Sequence, residues 1–380
     1  MFKPHAPIVK ARRREFIKTS LASAAVALGA PGISRAAKPY DGQTLSVFTY
    51  AGSYESTMKS HLIKQFEERT GARVRLEAGW WDMLPKLKAS PKGSPVYDVV
   101  MTDPTQGYPA IKEGLLRQYD PANVPNARKT ARALREDWVQ AKNWGANVAS
   151  SLMVMGFHKD MVANPPQHWH ELRRDDLRGK LSLYNAPYMS LYTFAMMKAG
   201  AEGRPGKGRE ELIKDLDGVL KYAKDNRDLV RVWWQSTGDF MSKLFAKEIS
   251  GGVVHSSGPF PAEDGGQPVR SIVPSEGTAM AQVFWSVTSG TTRQRLAEEW
   301  MNDFFSEAFQ IKWGTVAKLG VPNVEAAKVA AAESPFYKRF LPATEADWDK
   351  ITLYPYDIYF EGNNWTKITD FWDREVLRKG

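Results

Sequence analysis

The apolar positions of the chain switch repeatedly between two periods. Leu45-Ser46-Val47-Phe48-Thr49 is a short apolar run suited to a buried strand. Tyr54, Met58, Leu62 and Phe66 then fall at helical spacing and mark one face of a helix. Ser53 stands where it would cap that helix, Glu55 suits its positive end, and Gly71 follows its last turn. Arg73–Leu76 returns to strand, so the first two strands start about 29 residues apart, the length of a βαβ unit with a right-handed crossover. A third pass predicts a helix over Trp81–Lys88, a strand over Tyr97–Met101 and a helix over Tyr108–Gly114. This rhythm predicts an α/β fold with mainly parallel sheets flanked by helices.

Asn164-Pro165-Pro166 interrupts the rhythm within a loop over Lys159–Leu172. A second set of strands is predicted near Leu181–Tyr184, Leu229–Val232 and Gly252–His255. The apolar run Val148–Phe157 lies between the two sets and reads as a strand passing from one lobe to the other, and Ile272–Val287 has similar character. Further on, Leu296, Trp300 and Phe304 form the buried face of a helix over Arg293–Phe305.

With 380 residues the chain has room for about two domains. Its aromatic share of 12%, with 13 Trp, exceeds what a core requires and hints at a cleft that stacks on a ligand. The net charge of +9 is a local feature: residues 1–36 carry seven Lys and Arg against Glu15 alone and account for +6 of it. No basic run follows, which argues against a nucleic-acid partner. The same N-terminal stretch places ARRREFIKTS before an apolar run of roughly ten residues, too short for the about 20 that span a bilayer. Ser34-Arg35-Ala36 supplies small residues suited to cleavage. Arg13-Arg14-Glu15-Phe16-Ile17-Lys18 resembles the twin-arginine signal. That resemblance implies a signal peptide over 1–36, export of a folded protein by the twin-arginine machinery to a bacterial periplasm, and cleavage near Ala36. The absence of cysteine excludes thiol catalysis and Cys-based zinc sites.

Other chemistry is missing as well. The chain has neither G-x-x-x-x-G-K-[ST] nor G-x-G-x-x-G, the glycine-rich loops that cradle nucleotide phosphates. In Gly252–Pro259, GVVHSSGP, the glycines of a serine-hydrolase elbow are absent around both Ser256 and Ser257. His168-Trp169-His170 stands at a predicted helix start and reads as solvated histidines rather than a metal site. No catalytic residue, metal or cofactor is expected.

The predicted strand ends carry the remaining cargo, and ligands of open α/β sheets bind beyond such ends. They read Thr49-Tyr50-Ala51-Gly52-Ser53-Tyr54, Gly79-Trp80-Trp81-Asp82, Thr102-Asp103-Pro104, Trp233-Trp234-Gln235-Ser236 and His255-Ser256-Ser257-Gly258. A Trp pair follows a strand once in each half, which favours one or two stacking residues in a shared cleft.

These features, with YDVVMTDPTQGYPAIKEGLLRQYDPANVPN (97–126), GFHKDMVANPPQHWHEL (156–172) and IVPSEGTAM (272–280), resemble the extracellular solute-binding proteins of ABC importers, in the spermidine/putrescine-type branch. The resemblance implies a two-lobed periplasmic-binding-protein fold closing like a hinged clamp. Lobe 1 would comprise 37–147 plus 278–322, and lobe 2 would comprise 148–277 plus 323–380. It also implies a monomer that delivers a small-molecule solute to an inner-membrane ABC permease without altering it. An exported enzyme or a chemosensory receptor on the same fold is the alternative.

From lobe 1 the expected binding residues are Tyr50, Gly52, Ser53, Tyr54, Trp81 and Asp103. From lobe 2 they are Tyr188, Trp234, Ser236, His255, Ser256 and Ser257. Polyamine receptors of this branch combine aromatics with carboxylates. Here the aromatics are present, but the acidic part is reduced to Asp82, Asp103 and Asp239, and Tyr184-Asn185-Ala186-Pro187-Tyr188 stands where acids are common. Backbone N–H groups at the turn before Tyr54 would suit a ligand carboxylate. An organic cation, a carboxylate-bearing or other anionic metabolite and a neutral organic solute therefore all stay open, while iron is not expected, because no Tyr-Tyr pair with acids clusters in the C-terminal half of the cleft. Replacing Tyr54 is expected to weaken binding with little effect on stability.

Overall fold

The computed structural model describes residues 38–377. The signal peptide expected over 1–36 and its cleavage near Ala36 lie outside the described residues. None of the described helices is long and apolar enough to cross a membrane.

The first sheet has six strands. β1 (Thr44–Tyr50) pairs in parallel with β2 (Arg73–Gly79) on one side and β3 (Val99–Thr102) on the other. β12 (Val283–Thr288) joins antiparallel to β3, and β4 (Leu116–Arg117) and β5 (Ala146–Val148) pair antiparallel with β12. The second sheet has a parallel set, β7 (Leu181–Tyr184) between β8 (Val230–Trp234) and β9 (Gly251–His255). β6 (Met153–His158) and β10 (Val269–Ile272) complete it in antiparallel fashion, giving the order β10-β6-β9-β7-β8. In both sheets the strand–helix rhythm corresponds to the parallel set. One strand in each sheet, β12 in the first and β6 in the second, runs against the rest. Both lie in the long apolar stretches and enter from the other sheet.

The chain leaves the first sheet after β5 and reaches β6 through Ala149–Leu152. It returns through β11 (Thr278–Met280), which is bridged to Leu152 and paired in parallel with β13 (Ile351–Leu353). Two loop motifs meet beside this return. Glu276 accepts a hydrogen bond from the Trp169 backbone N–H at 2.8 Å, and its carboxylate lies 2.9 Å from His168 Nδ1. Trp169, fully buried, donates its indole N–H to the Gly277 carbonyl. Gly277 itself has φ 93 and lies so close to the Lys350 carbonyl that a Cβ would clash. His168 is thus engaged with Glu276 rather than simply solvated.

The helix predicted from Tyr54 to Phe66 is broken at Leu62, whose φ of −117° separates α1 (Ser53–His61) from α2 (Ile63–Thr70). Leu62 and Phe66 remain buried across the break, so one apolar face survives it. Gly52, at φ 83, takes the cap position, which shifts Ser53 into the first turn; α1 has no side-chain cap bond, so the expected cap by Ser53 is corrected. α3 spans Met83–Ala89. α4 spans Pro104–Lys112, starting before the predicted Tyr108 because Asp103 caps it and Pro104 suits its first position. On one face of the first sheet, Val47 and Trp285 pack with Leu296, Trp300 and Phe304, the apolar stripe of the helix Gln294–Phe304.

Candidate functional site

β1 and β3 bring Tyr50 and Asp103 together. The Tyr50 hydroxyl donates to Asp103 Oδ2 at 2.8 Å, while Asp103 Oδ1 accepts from the Thr105 backbone N–H at 2.7 Å. The carboxylate is therefore held rigidly at the start of α4, where the helix dipole favours its charge. Among the described residues no Lys or Arg forms an ion pair with it. The other acids considered are neutralised one helical turn away: Asp82 pairs with Lys86, and Asp239 with Lys243.

Aromatic rings surround this corner. Trp80 stacks on Tyr50 with centroids 5.1 Å apart and planes at 14°. It is Trp80, then, and not the expected Trp81, that touches the tyrosine; Trp81 has 59% of its surface exposed and no ring partner among the described residues. Tyr54 sits edge-on to Tyr50 and Trp313. Its hydroxyl lies 2.7 Å from Ser150 Oγ on the crossing segment, and it is only 8% exposed. Burial pushes its ionisation up to about 12, so the group stays neutral.

Facing residues come from the second sheet and the C-terminal segment. Tyr184, at the end of β7, stacks on Trp234 at 4.1 Å and meets Tyr188 and His255 edge-on. Tyr188 packs against Tyr354 and Tyr356. Tyr356 is parallel to Phe360, and Phe360 stacks on Tyr108 at 4.6 Å, so the aromatic series reaches back to α4. Burial raises the ionisation of Tyr50, Tyr188 and Tyr356 well above the usual phenol value, and the negative charge of Asp103 raises each further. Tyr184 is raised for the same two reasons. One carboxylate thus faces neutral phenols from both sheets.

The remaining expected residues are engaged in other ways. Trp234 is 1% exposed and donates its N–H to the Val253 carbonyl, so it backs Tyr184 from within the core. Ser236 is exposed and caps the helix Thr237–Phe245 by accepting from Asp239 N–H. Ser256 is buried and exchanges hydrogen bonds with the Leu152 backbone, which engages it with the crossing segment. Gly52, Ser53 and Ser257 are exposed. Tyr184, Tyr354, Tyr356 and Trp80 belong to the cluster but were not among the expected residues. The spacing Tyr184-x-x-x-Tyr188 at a strand end was the available signal for the first of them.

Residues 61–339 match the profile of the family described as bacterial extracellular solute-binding protein. No curated protein matches the chain. Among solved structures, a Bradyrhizobium japonicum ABC transporter substrate-binding protein is 16% identical, covering 88% of this chain and 100% of its own, with a TM-score of 0.72. The spermidine/putrescine ABC transporter substrate-binding protein PotD from Streptococcus pneumoniae is 15% identical, covering 88% and 99%, with a TM-score of 0.71. The binding protein AgtB from A. tumefaciens R10, solved with agropinic acid, is 17% identical, covering 89% and 99%, with a TM-score of 0.64. These likenesses are in fold. With the profile covering most of its length, the chain belongs to the bacterial extracellular solute-binding proteins.

Proposed function

We propose that this chain is the periplasmic receptor of an ABC importer in the spermidine/putrescine-type branch, and that it captures a small organic cation. Asp103 carries this reading: it is a fixed carboxylate with no cationic partner among the described residues, set against Tyr50, Tyr184, Tyr188 and Tyr356. Aromatic faces attract cations through their quadrupoles, and a carboxylate supplies the compensating charge. The lobes are 37–147 plus 278–322 and 148–277 plus 323–380, closing around the crossing segments as a hinged clamp. Residues 1–36 direct export through the twin-arginine route, with cleavage near Ala36. The receptor acts as a monomer and passes its solute unaltered to an inner-membrane permease.

A cation that also bears a carboxylate is the second reading. The first turn of α1 lacks a side-chain acceptor, leaving its amides available to an anionic group. Calorimetry with putrescine, 4-aminobutyrate and agropinic acid, joined to X-ray scattering for closure, tests both. One-to-one binding with a smaller radius of gyration upholds the receptor reading. An absence of binding and closure across a broad amine and amino-acid panel refutes it, and turnover of any bound compound would favour an exported enzyme.

A further inference from the structure

His255 closes β9 beside the ends of β7 and β8, where its ring stands edge-on to Tyr184 at 5.9 Å and to Trp234 at 5.7 Å. Its Nδ1 is buried with no hydrogen-bond partner. Trp234 cannot supply one, because its N–H is engaged by the Val253 carbonyl. Across the strand, Met153 of β6 is its register partner and offers no charge. Tyr184 is the titratable group in contact with it, and burial keeps that phenol neutral. The ring therefore sits among neutral groups, and burial lowers its own ionisation to about 4.

The tautomer follows from the orphaned nitrogen. A buried N–H without an acceptor is less tolerable than a buried lone pair without a donor. The proton consequently belongs on Nε2, which makes no hydrogen bond among the described residues. We propose that His255 donates a hydrogen bond from Nε2 to an oxygen acceptor of the solute. Resting on the cation reading above, this assigns the solute class as an amine that presents its charge to Asp103 and an oxygen to β9. Amino alcohols and amino acids with a separated amine fit; simple alkylamines do not. Tyr184 links the two poles, touching His255 and lying within the field of Asp103.

The test combines nitrogen-15 NMR of the histidines with calorimetry of butylamine, 4-aminobutan-1-ol, 4-aminobutyrate and butyrate. His255 is expected as the neutral Nε2–H tautomer at pH 7, with its Nε2 signal moving when 4-aminobutyrate is added. The two acceptor-bearing amines should bind at least about tenfold tighter than butylamine, as one added hydrogen bond allows. His255→Phe should level that preference. An Nδ1–H tautomer, an imidazolium at pH 7, equal binding of the three amines, or a preference that survives His255→Phe overturns the proposal. If butyrate moves the His255 signal while butylamine does not bind, His255 is upheld and the cation reading falls. If none of the four probes moves that signal, His255 has no such role.

Discussion

Replacing Tyr54 separates the structural from the binding role of the turn that carries it. The sequence led to the expectation that this change would leave stability nearly intact, whereas the structure places Tyr54 in the core with its hydroxyl against Ser150 on the crossing segment. Tyr54→Phe removes that hydrogen bond and leaves Ser150, itself 6% exposed, without its partner, a loss of about 1–2 kcal/mol. Tyr54→Ala also removes edge contacts with Trp313 and Tyr50 and opens a cavity, for a total of about 3–5 kcal/mol. Equilibrium urea unfolding, followed by both tryptophan fluorescence and circular dichroism, reads the two losses as lower midpoints at constant slope. A Tyr54→Ala protein within about 0.5 kcal/mol of wild type would show that this side chain is not part of the core, since surface changes typically fall in that range.

Other consequences follow from the same geometry. Asp103→Asn keeps a residue that can cap α4 while removing the charge, so melting should change little and amine affinity should fall by about 10- to 150-fold, the worth of a charge-assisted hydrogen bond; unchanged calorimetric affinity would remove Asp103 from the site. Trp80→Ala should weaken amine binding more than Trp81→Ala, because only Trp80 stacks on Tyr50; an equal or reversed effect in titrations contradicts this placement. His255 has its folded ionisation lowered to about 4 from the usual 6.5, so the unfolded chain binds more protons between those values. Stability should rise with pH across that window and fall as pH drops through it, by up to about 3 kcal/mol. His255→Phe should flatten this slope in urea midpoints measured between pH 4 and 6.5, and an identical slope in the variant would assign the effect to other groups.

Much of the fold was legible because the parallel strands and their helices announce themselves by period. The strand that ends at Tyr50, the helix stripe of Leu296, Trp300 and Phe304, and the passage out of the first sheet after Val148 all follow from local pattern. What the pattern could not give was the direction of strands arriving from the other sheet, such as β12, because direction depends on the whole path of the chain. Local signals also misassigned Ser53: a Ser at a helix start is a common cap, but the positive φ of Gly52 moves the cap position back by one residue. The site was readable as a set of strand ends and unreadable as a set of contacts. Adjacent tryptophans such as Trp80 and Trp81 are equivalent in sequence, and only the position of Tyr50 separates them. Tyr354 and Tyr356 come from a distant segment, and no local pattern links them to Tyr188.

Whether the cleft holds a small organic cation against Asp103 is decided by the compound the protein carries. Native mass spectrometry of the protein purified without unfolding, followed by fragmentation of what it releases, identifies that compound. The expected result is a one-to-one complex whose released compound carries a basic amine, and loss of that complex in Asp103→Asn. A released compound without any cationic group, or an equally occupied Asp103→Asn protein, would rule out Asp103 as the anchor of a bound cation.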